Sequence, residues 1–518
     1  MSVDLVIRNG LVHDGTGAPP RRADVALAGD RVALVGDVGP VDARELDAAG
    51  LAVAPGFVDL HSHSDYTLLV DPRAVSAVHQ GVTTEVVGNC GFGCFPVADP
   101  TVAQRAIYGY SGDVPLTWTS AGGYLQALDG ARPAVNVLSL VPNGQLRLAT
   151  LGLADRPADP QERERMQTLL RQSLAEGCWG YSTGLEYAWE QAADEDEVAA
   201  LAAEAPLYAT HTRARDEGAA EAVAEAVRVA RRAGTRLQVS HLVPRSGPAE
   251  ARRCLDVVEA TRDAGDDVEF DMHTRRFGLT HLYAALPAWA LTAPAETLAA
   301  ILRDPVRRDA MRGHRSILTG GGDWSRVVLL DNDVWPEYAR RDLASVAAER
   351  RQEPLDAVFD LLLGAVDAPQ RLLVIIHAYS EEQQREAFSH PLCVPGSDAT
   401  TLAPDGPLAG TSFHGAYSWA AWFWRFTVRE HAALAPEEAV RRLTSRPAER
   451  LGLADRGVLR EGAHADVAVF DRECFAERAT TFEPNVLAEG MRHVIVNGVE
   501  TLRDGVLTGA RGGRVLRS

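Results

Sequence analysis

Leu207-Tyr208-Ala209-Thr210-His211, then Glu217–Ala233, then Leu237-Gln238-Val239-Ser240-His241 read as one strand–helix–strand unit. Ala220, Val223, Ala226, Val227 and Ala230 recur at helical spacing, and Gly234 stops the helix. A helix between two strands makes those strands parallel, so His211 and His241 leave the same rim. Working outward, the segments from about 53 to 450 alternate in the same way. Strands are predicted at 54–60, 84–88, 135–141, 178–182, 206–211, 236–241, 268–273 and 392–397. Eight such strands predict an α/β fold, a (β/α)8 TIM-type barrel over residues 54–450. The interval from 273 to 392 exceeds one connecting helix, so an inserted, lid-like region is expected within about 276–390.

The two ends of the chain have a different texture. Short β-rich runs alternate with Asn9-Gly10, Asp14-Gly15, Gly29-Asp30, Asn497-Gly498 and Asp504-Gly505, which are hairpin signals. Residues 1–53 and 451–518 are therefore expected to build one small β-sandwich domain together.

Composition removes several chemistries. All 52 basic residues are arginine, because the chain of 518 residues contains no lysine. A P-loop, a pyridoxal phosphate Schiff base and a lysine nucleophile are excluded with it. With 46% hydrophobic and 24% charged residues the chain is an ordinary globular one. A net charge of −19 disfavours nucleic acid and anionic membranes as partners. The stretch Met1–Arg8 has neither a basic nor an apolar leader segment, and six scattered cysteines lack a CxxC pair. A cytoplasmic protein acting on a small molecule is the expectation.

The candidate chemistry lies where strands end. His61-Ser62-His63 follows the apolar run Leu51–Leu60, and residues i and i+2 on a strand point the same way. Two imidazoles so placed can hold one metal ion, although two surface histidines in a turn would look alike. The next strand ends in Gly88-Asn89-Cys90-Gly91-Phe92, where small residues permit a tight turn around a thiol. Val394-Pro395-Gly396-Ser397-Asp398 ends the last strand in a carboxylate. Each residue alone has a bland packing explanation. Together, His61, His63, Cys90, His211, His241 and Asp398 converge on the carboxyl face of one barrel. Their donors suit zinc better than magnesium or calcium.

These motifs resemble the amidohydrolase superfamily, and within it the N-acyl-D-amino-acid deacylase (D-aminoacylase) branch. The similarity runs through Pro55-Gly56-Phe57-Val58-Asp59-Leu60-His61-Ser62-His63, Gly88-Asn89-Cys90-Gly91-Phe92, Gly180-Tyr181-Ser182-Thr183-Gly184-Leu185-Glu186-Tyr187, Ser240-His241-Leu242 and Gly396-Ser397-Asp398. The resemblance implies a zinc-dependent hydrolase of amide (N-acyl) bonds, of an N-acyl-D-amino acid or a related acylated amine. Cys90, His211 and His241 would hold a tight zinc, with His61 and His63 at a second, weaker position and Asp398 as the acid/base. Many relatives bridge two metals with a carboxylated lysine, which this chain cannot supply.

The substrate side departs from that pattern. The branch's lysine after the second histidine is Val243, its Tyr-Pro-Tyr run is His273-Thr274-Arg275, and its His-Pro-Arg segment corresponds to Phe413-His414-Gly415. Arg245, Arg275 or Arg276 could replace the lysine as a carboxylate clamp, with His273 and His414 nearby. Trp419, Trp422, Phe423 and Trp424 could line an apolar pocket. A hydantoinase- or dihydroorotase-like cyclic amidase is the alternative, and an inactive scaffold a third.

Overall fold

Gly56 is where the chain passes from one sheet into another. A Cβ there would lie 2.1 Å from Thr83 Oγ1, so glycine alone lets the two backbones approach. In the computed structural model, which describes residues 2–291 and 293–518, the strand expected at 54–60 divides at this residue. Ala52–Pro55 pairs antiparallel with Val467–Phe470, whereas Phe57–Asp59 pairs parallel with Val82–Val87.

Parallel neighbours then follow in chain order. They are Val82–Val87, Asn136–Ser139 continued by Val141–Pro142, Tyr181–Gly184, Leu207–His211, Arg236–Val239, Val268–His273 and Cys393–Gly396. They form a three-stranded and a six-stranded sheet. Two seams connect the pair. Leu140 N–H donates to Val87 O at 2.9 Å, and Val141 N–H to Gly180 O at 2.8 Å. At the other seam, Asp398 N–H donates to His61 O at 2.8 Å and His63 N–H to Ala399 O at 2.9 Å. These strands are buried nearly throughout, as strands covered on both faces must be. The helix expected at Glu217–Ala233 spans Ala219–Ala233 and ends on left-handed Gly234.

Both chain ends join one nine-stranded sheet. That network branches at Leu5–Val12, which pairs with three neighbours. Leu5, Ile7, Val25, Val467 and Ile495 pack in one apolar cluster, so the two ends share a core. Asn497-Gly498 and Asp504-Gly505 are the hairpin turns expected. Asn9-Gly10 is not. It lies inside Leu5–Val12 as a bulge, with Asn9 at φ 62° and its side chain donating to Asp47.

The expected insertion has its own architecture. Leu373–His377 lies between Phe277–His281 and Val327–Leu329 in an antiparallel sheet. Helices including Ala295–Arg303 and Pro354–Gly364 bury Leu302, Val346, Phe359, Leu362 and Val374 in a separate apolar cluster. The aromatic run divides. Trp419, Phe423 and Trp424 are buried in the main core, against the pocket role expected, because the helix Trp419–Trp424 turns that face inward. Trp422 stacks on Phe426 at 4.2 Å and lines a cavity.

Gly56→Ala should lower stability by about 1–3 kcal/mol through overpacking against Thr83. A thermal unfolding midpoint equal to wild type would contradict the close-crossing account.

Candidate metal centre

Asn89 begins the site from beneath. Its side-chain amide is buried and donates to Val86 O at 3.0 Å and Leu60 O at 3.3 Å, tying two strand ends together. This holds the following turn, in which Cys90 takes φ 52° between left-handed Gly88 and Gly91. A Cβ on Gly91 would fall 1.7 Å from Glu190 Oε1, so the turn admits no side chain there. His241 and Asp398 also have positive φ, 32° and 45°. Three of the six expected site residues thus sit in sparsely populated backbone, a condition concentrated at functional positions.

The six side chains converge. His61 Nε2 lies 3.2 Å and His241 Nε2 3.5 Å from Cys90 Sγ. Asp398 Oδ1 lies 3.3 Å from His63 Nε2 and 3.5 Å from His61 Nε2. The donor atoms of His61, His63, Cys90 and Asp398 fall within 4.8 Å of one another, as do those of Cys90, His211 and His241. Cys90 belongs to both groups. Thiolate and imidazole donors at such separations fit zinc, with room for two adjacent ions sharing the sulfur.

Two carboxylates absent from the expected list orient these ligands. His61 Nδ1 donates to Asp271 Oδ1 at 2.9 Å, and the same oxygen accepts His241 N–H at 2.8 Å. His211 Nε2 donates to Glu186 Oε2 at 2.8 Å, which leaves Nδ1 as its ligand atom. A carboxylate on the far ring nitrogen fixes tautomer and direction. The signal for Asp271 was an acid near the end of the strand expected at 268–273, and for Glu186 its place in the quoted Leu185-Glu186-Tyr187. Burial pushes His211 down to about 4 and His241 well below the usual imidazole value, so both are neutral, as ligands must be. Burial opposes the charge of Asp398, yet Arg275 and the imidazoles hold its carboxyl well below the ordinary range.

The candidate substrate residues separate. Arg245 is buried and wholly engaged. It pairs with both oxygens of Glu186 and donates to Asp216 at 2.8 and 3.2 Å. It holds the acid that holds His211, rather than standing free as a clamp. Arg275 donates to Asp398 Oδ2 at 2.5 Å and to Ser397 O at 2.7 Å, so it too is committed. Arg276 is 59% exposed and lies 3.6 Å from Glu381. His273 is buried beside Tyr379 with neither ring nitrogen bonded. His414 donates to Thr481 O at 2.5 Å.

Residues 44–501 match the model described as "Amidohydrolase family". The N-acyl-D-glutamate deacylase of Alcaligenes xylosoxydans xylosoxydans is 34% identical, over 99% of this chain and 96% of that protein. The crystal structure of D-aminoacylase superposes with a TM-score of 0.82 at 30% identity, each chain covered completely. The N-acyl-D-glutamate deacylase from Bordetella bronchiseptica, solved with zinc and a phosphonate mimic of the tetrahedral intermediate, gives 0.80 at 31%, again over both whole chains. Its buried thiol and imidazoles and its sequence along nearly the full length place this chain in the amidohydrolase family, as an enzyme that acts on amide bonds.

Proposed function

We propose that this chain is a zinc-dependent deacylase of N-acyl-D-amino acids, working at the carboxyl face of a closed (β/α)8 barrel. The observation that carries the reaction is the pair of donor groups that share Cys90. The hydrogen bonds from Asp398 to His61 and from His63 to Ala399 support closure of the eight parallel strands. Residues 54–450 would form that barrel, with the inserted unit at its mouth as a lid. Residues 1–53 and 451–518 would form the second domain. Six free cysteines agree with a cytoplasmic setting.

Cys90, His211 and His241 would hold the tight zinc, and His61 and His63 a second ion beside it. A zinc ion there would polarise the scissile carbonyl and make a nearby water more acidic. The protein's own part is proton handling and alignment. Asp398 presents Oδ1 to the imidazoles of His63 and His61 while Arg275 holds Oδ2, so the carboxylate stands in one orientation at the ligand cluster. Oδ1 would take the proton of the attacking water, then deliver it to the departing nitrogen. The delivery is needed because an unprotonated amide nitrogen is a poor leaving group. Arg245, Glu186 and Asp271 touch no reactant and act by keeping the ligands in place.

Asp398→Asn should retain zinc and lose roughly 10²–10⁴-fold in kcat, the range for a positioned acid/base. Near-normal turnover by the zinc-loaded variant, with zinc confirmed by elemental analysis, would remove Asp398 from that role. Glu186→Gln should weaken zinc roughly 10–100-fold, as loss of an orienting carboxylate does. Competition with a chelator measures this directly, and wild-type affinity would reduce Glu186 to a packing partner.

A further inference from the structure

The space directly at the metal ligands is small. Bounded by His211, His241, His273 and Asp398, it offers about 30 Å³, scarcely more than one water or one oxygen of a substrate. Three arginines also line it. Arg245 is paired with Glu186 and Asp216, and Arg275 with Asp398. Arg215 is as buried as these, at 5% exposed, yet no carboxylate among the described residues pairs with it.

Arg215 follows the strand Leu207–His211, and His273 is the last residue of Val268–His273. These two strands flank Arg236–Val239, the strand that leads to His241. The Arg215 guanidinium is only partly engaged. Its Nη2 donates to His241 O, to Val243 O at 2.9 Å and to the Tyr379 hydroxyl at 3.1 Å. Those neutral oxygens hold the charge in place without compensating it, and Nε and Nη1 meet no acceptor among the described residues. His273 is 1% exposed, and neither of its ring nitrogens has a partner. Asp271, two residues earlier on the same strand, reaches the His61 ring, so His273 projects to the same inner side. An imidazole carries at least one N–H donor in either protonation state.

Burying a cation without a counter-charge, and a ring without hydrogen bonds, is unfavourable. Both groups border one space of oxygen size, so the group that completes them accepts hydrogen bonds and carries negative charge. A ground-state amide oxygen meets only the first condition. When water adds to the carbonyl carbon, the C–O π pair passes to that oxygen and makes it an anion. We propose that Arg215 and His273 are catalytic residues that bind this oxyanion in the tetrahedral intermediate. The assignment rests on the deacylase reading above and extends it to two residues outside the metal ligands. On collapse the electron pair re-forms the carbonyl as the C–N bond breaks, and Asp398 protonates the nitrogen. Neither Arg215 nor His273 transfers a proton. Their oxygen is neutral before attack and negative after it, so they favour the transition state over the substrate and act on kcat.

The test uses zinc-loaded enzyme with N-acetyl-D-glutamate and with N-(methylphosphonyl)-D-glutamate, whose tetrahedral phosphorus bears an anionic oxygen where the amide has its carbonyl. His273→Leu removes a donor without breaking any hydrogen bond within the protein. Arg215→Met removes the cation, and Arg215→Lys puts one back. His273→Leu and Arg215→Met should each lose roughly 10²–10³-fold in kcat, the loss that follows removal of one oxyanion donor. Calorimetric affinity for the phosphonate should fall at least about 10-fold in both, because that compound shares the charge of the transition state. Zinc content, and amide binding measured in an Asp398→Asn background, should stay near wild type, and Arg215→Lys should recover part of kcat. Equal loss of phosphonate and amide affinity, or loss of zinc along with kcat, would make both residues structural supports and overturn the proposal. Wild-type kcat in His273→Leu would overturn it too, even if Arg215→Met fails to fold. Phosphonate binding that depends on both residues, in an enzyme that leaves a panel of N-acetyl-D-amino acids intact, would sustain the site and sink the deacylase reading.

Discussion

One oxygen of Asp271 accepts hydrogen bonds from the His61 ring and from the His241 backbone, and the site depends on that sharing. The two residues are 180 positions apart in the chain and leave different strands. Fixing both to one buried atom sets the distance between their ligand nitrogens, each of which reaches Cys90 Sγ. Gln238 donates to the other Asp271 oxygen at 3.1 Å, so the anchor itself cannot rotate. A metal ion binds tightly only where its ligands are already aimed, because reorienting buried imidazoles after binding would cost part of the affinity. The positive φ values of Cys90, His241 and Asp398 are held against this fixed frame.

The six converging side chains were legible in the sequence because metal binding restricts residue type and strand geometry restricts position. Histidines and a thiol at strand ends are uncommon enough that their coincidence carries meaning. Asp271 and Glu186 were harder to read, since an acid in a sequence does not declare its partner. The partner of Asp271 stands 210 residues away, and that of Glu186 is identified only when two strand ends lie side by side. Arg245 was read as a substrate clamp for the same reason. Its fork suits a substrate carboxylate and a protein carboxylate equally, and only the fold brings Glu186 and Asp216 to it. Asn9-Gly10 shows the local version of the problem. The pair accommodates positive φ, which a hairpin turn and a bulge both require.

The absence of lysine gives the charged interior a particular character. A lysine offers one mobile point charge, whereas a guanidinium can join two acids at once and stay planar. Arg245 does so between Glu186 and Asp216, in surroundings where breaking one partner would leave a buried charge uncompensated. Arg275 similarly joins the Asp398 carboxylate to the backbone carbonyls of Ser397 and Asp398, just past the strand Cys393–Gly396. These arginines serve as structural parts of the catalytic face. The cost is that they are not free to meet a substrate, which moves recognition outward to residues that are.

That displacement follows from the architecture. The rim of parallel strands is crowded by six converging side chains and their carboxylate supports, leaving about 30 Å³ beside them. Few changes are tolerated there, since each residue holds another. The inserted unit carries its own apolar core and meets the rim at several points, among them the bonds from Arg326 to Arg245 O and from Gln384 to His273 O. A residue on that unit can vary without disturbing the ligands, because its anchors are main-chain carbonyls, which any side chain provides.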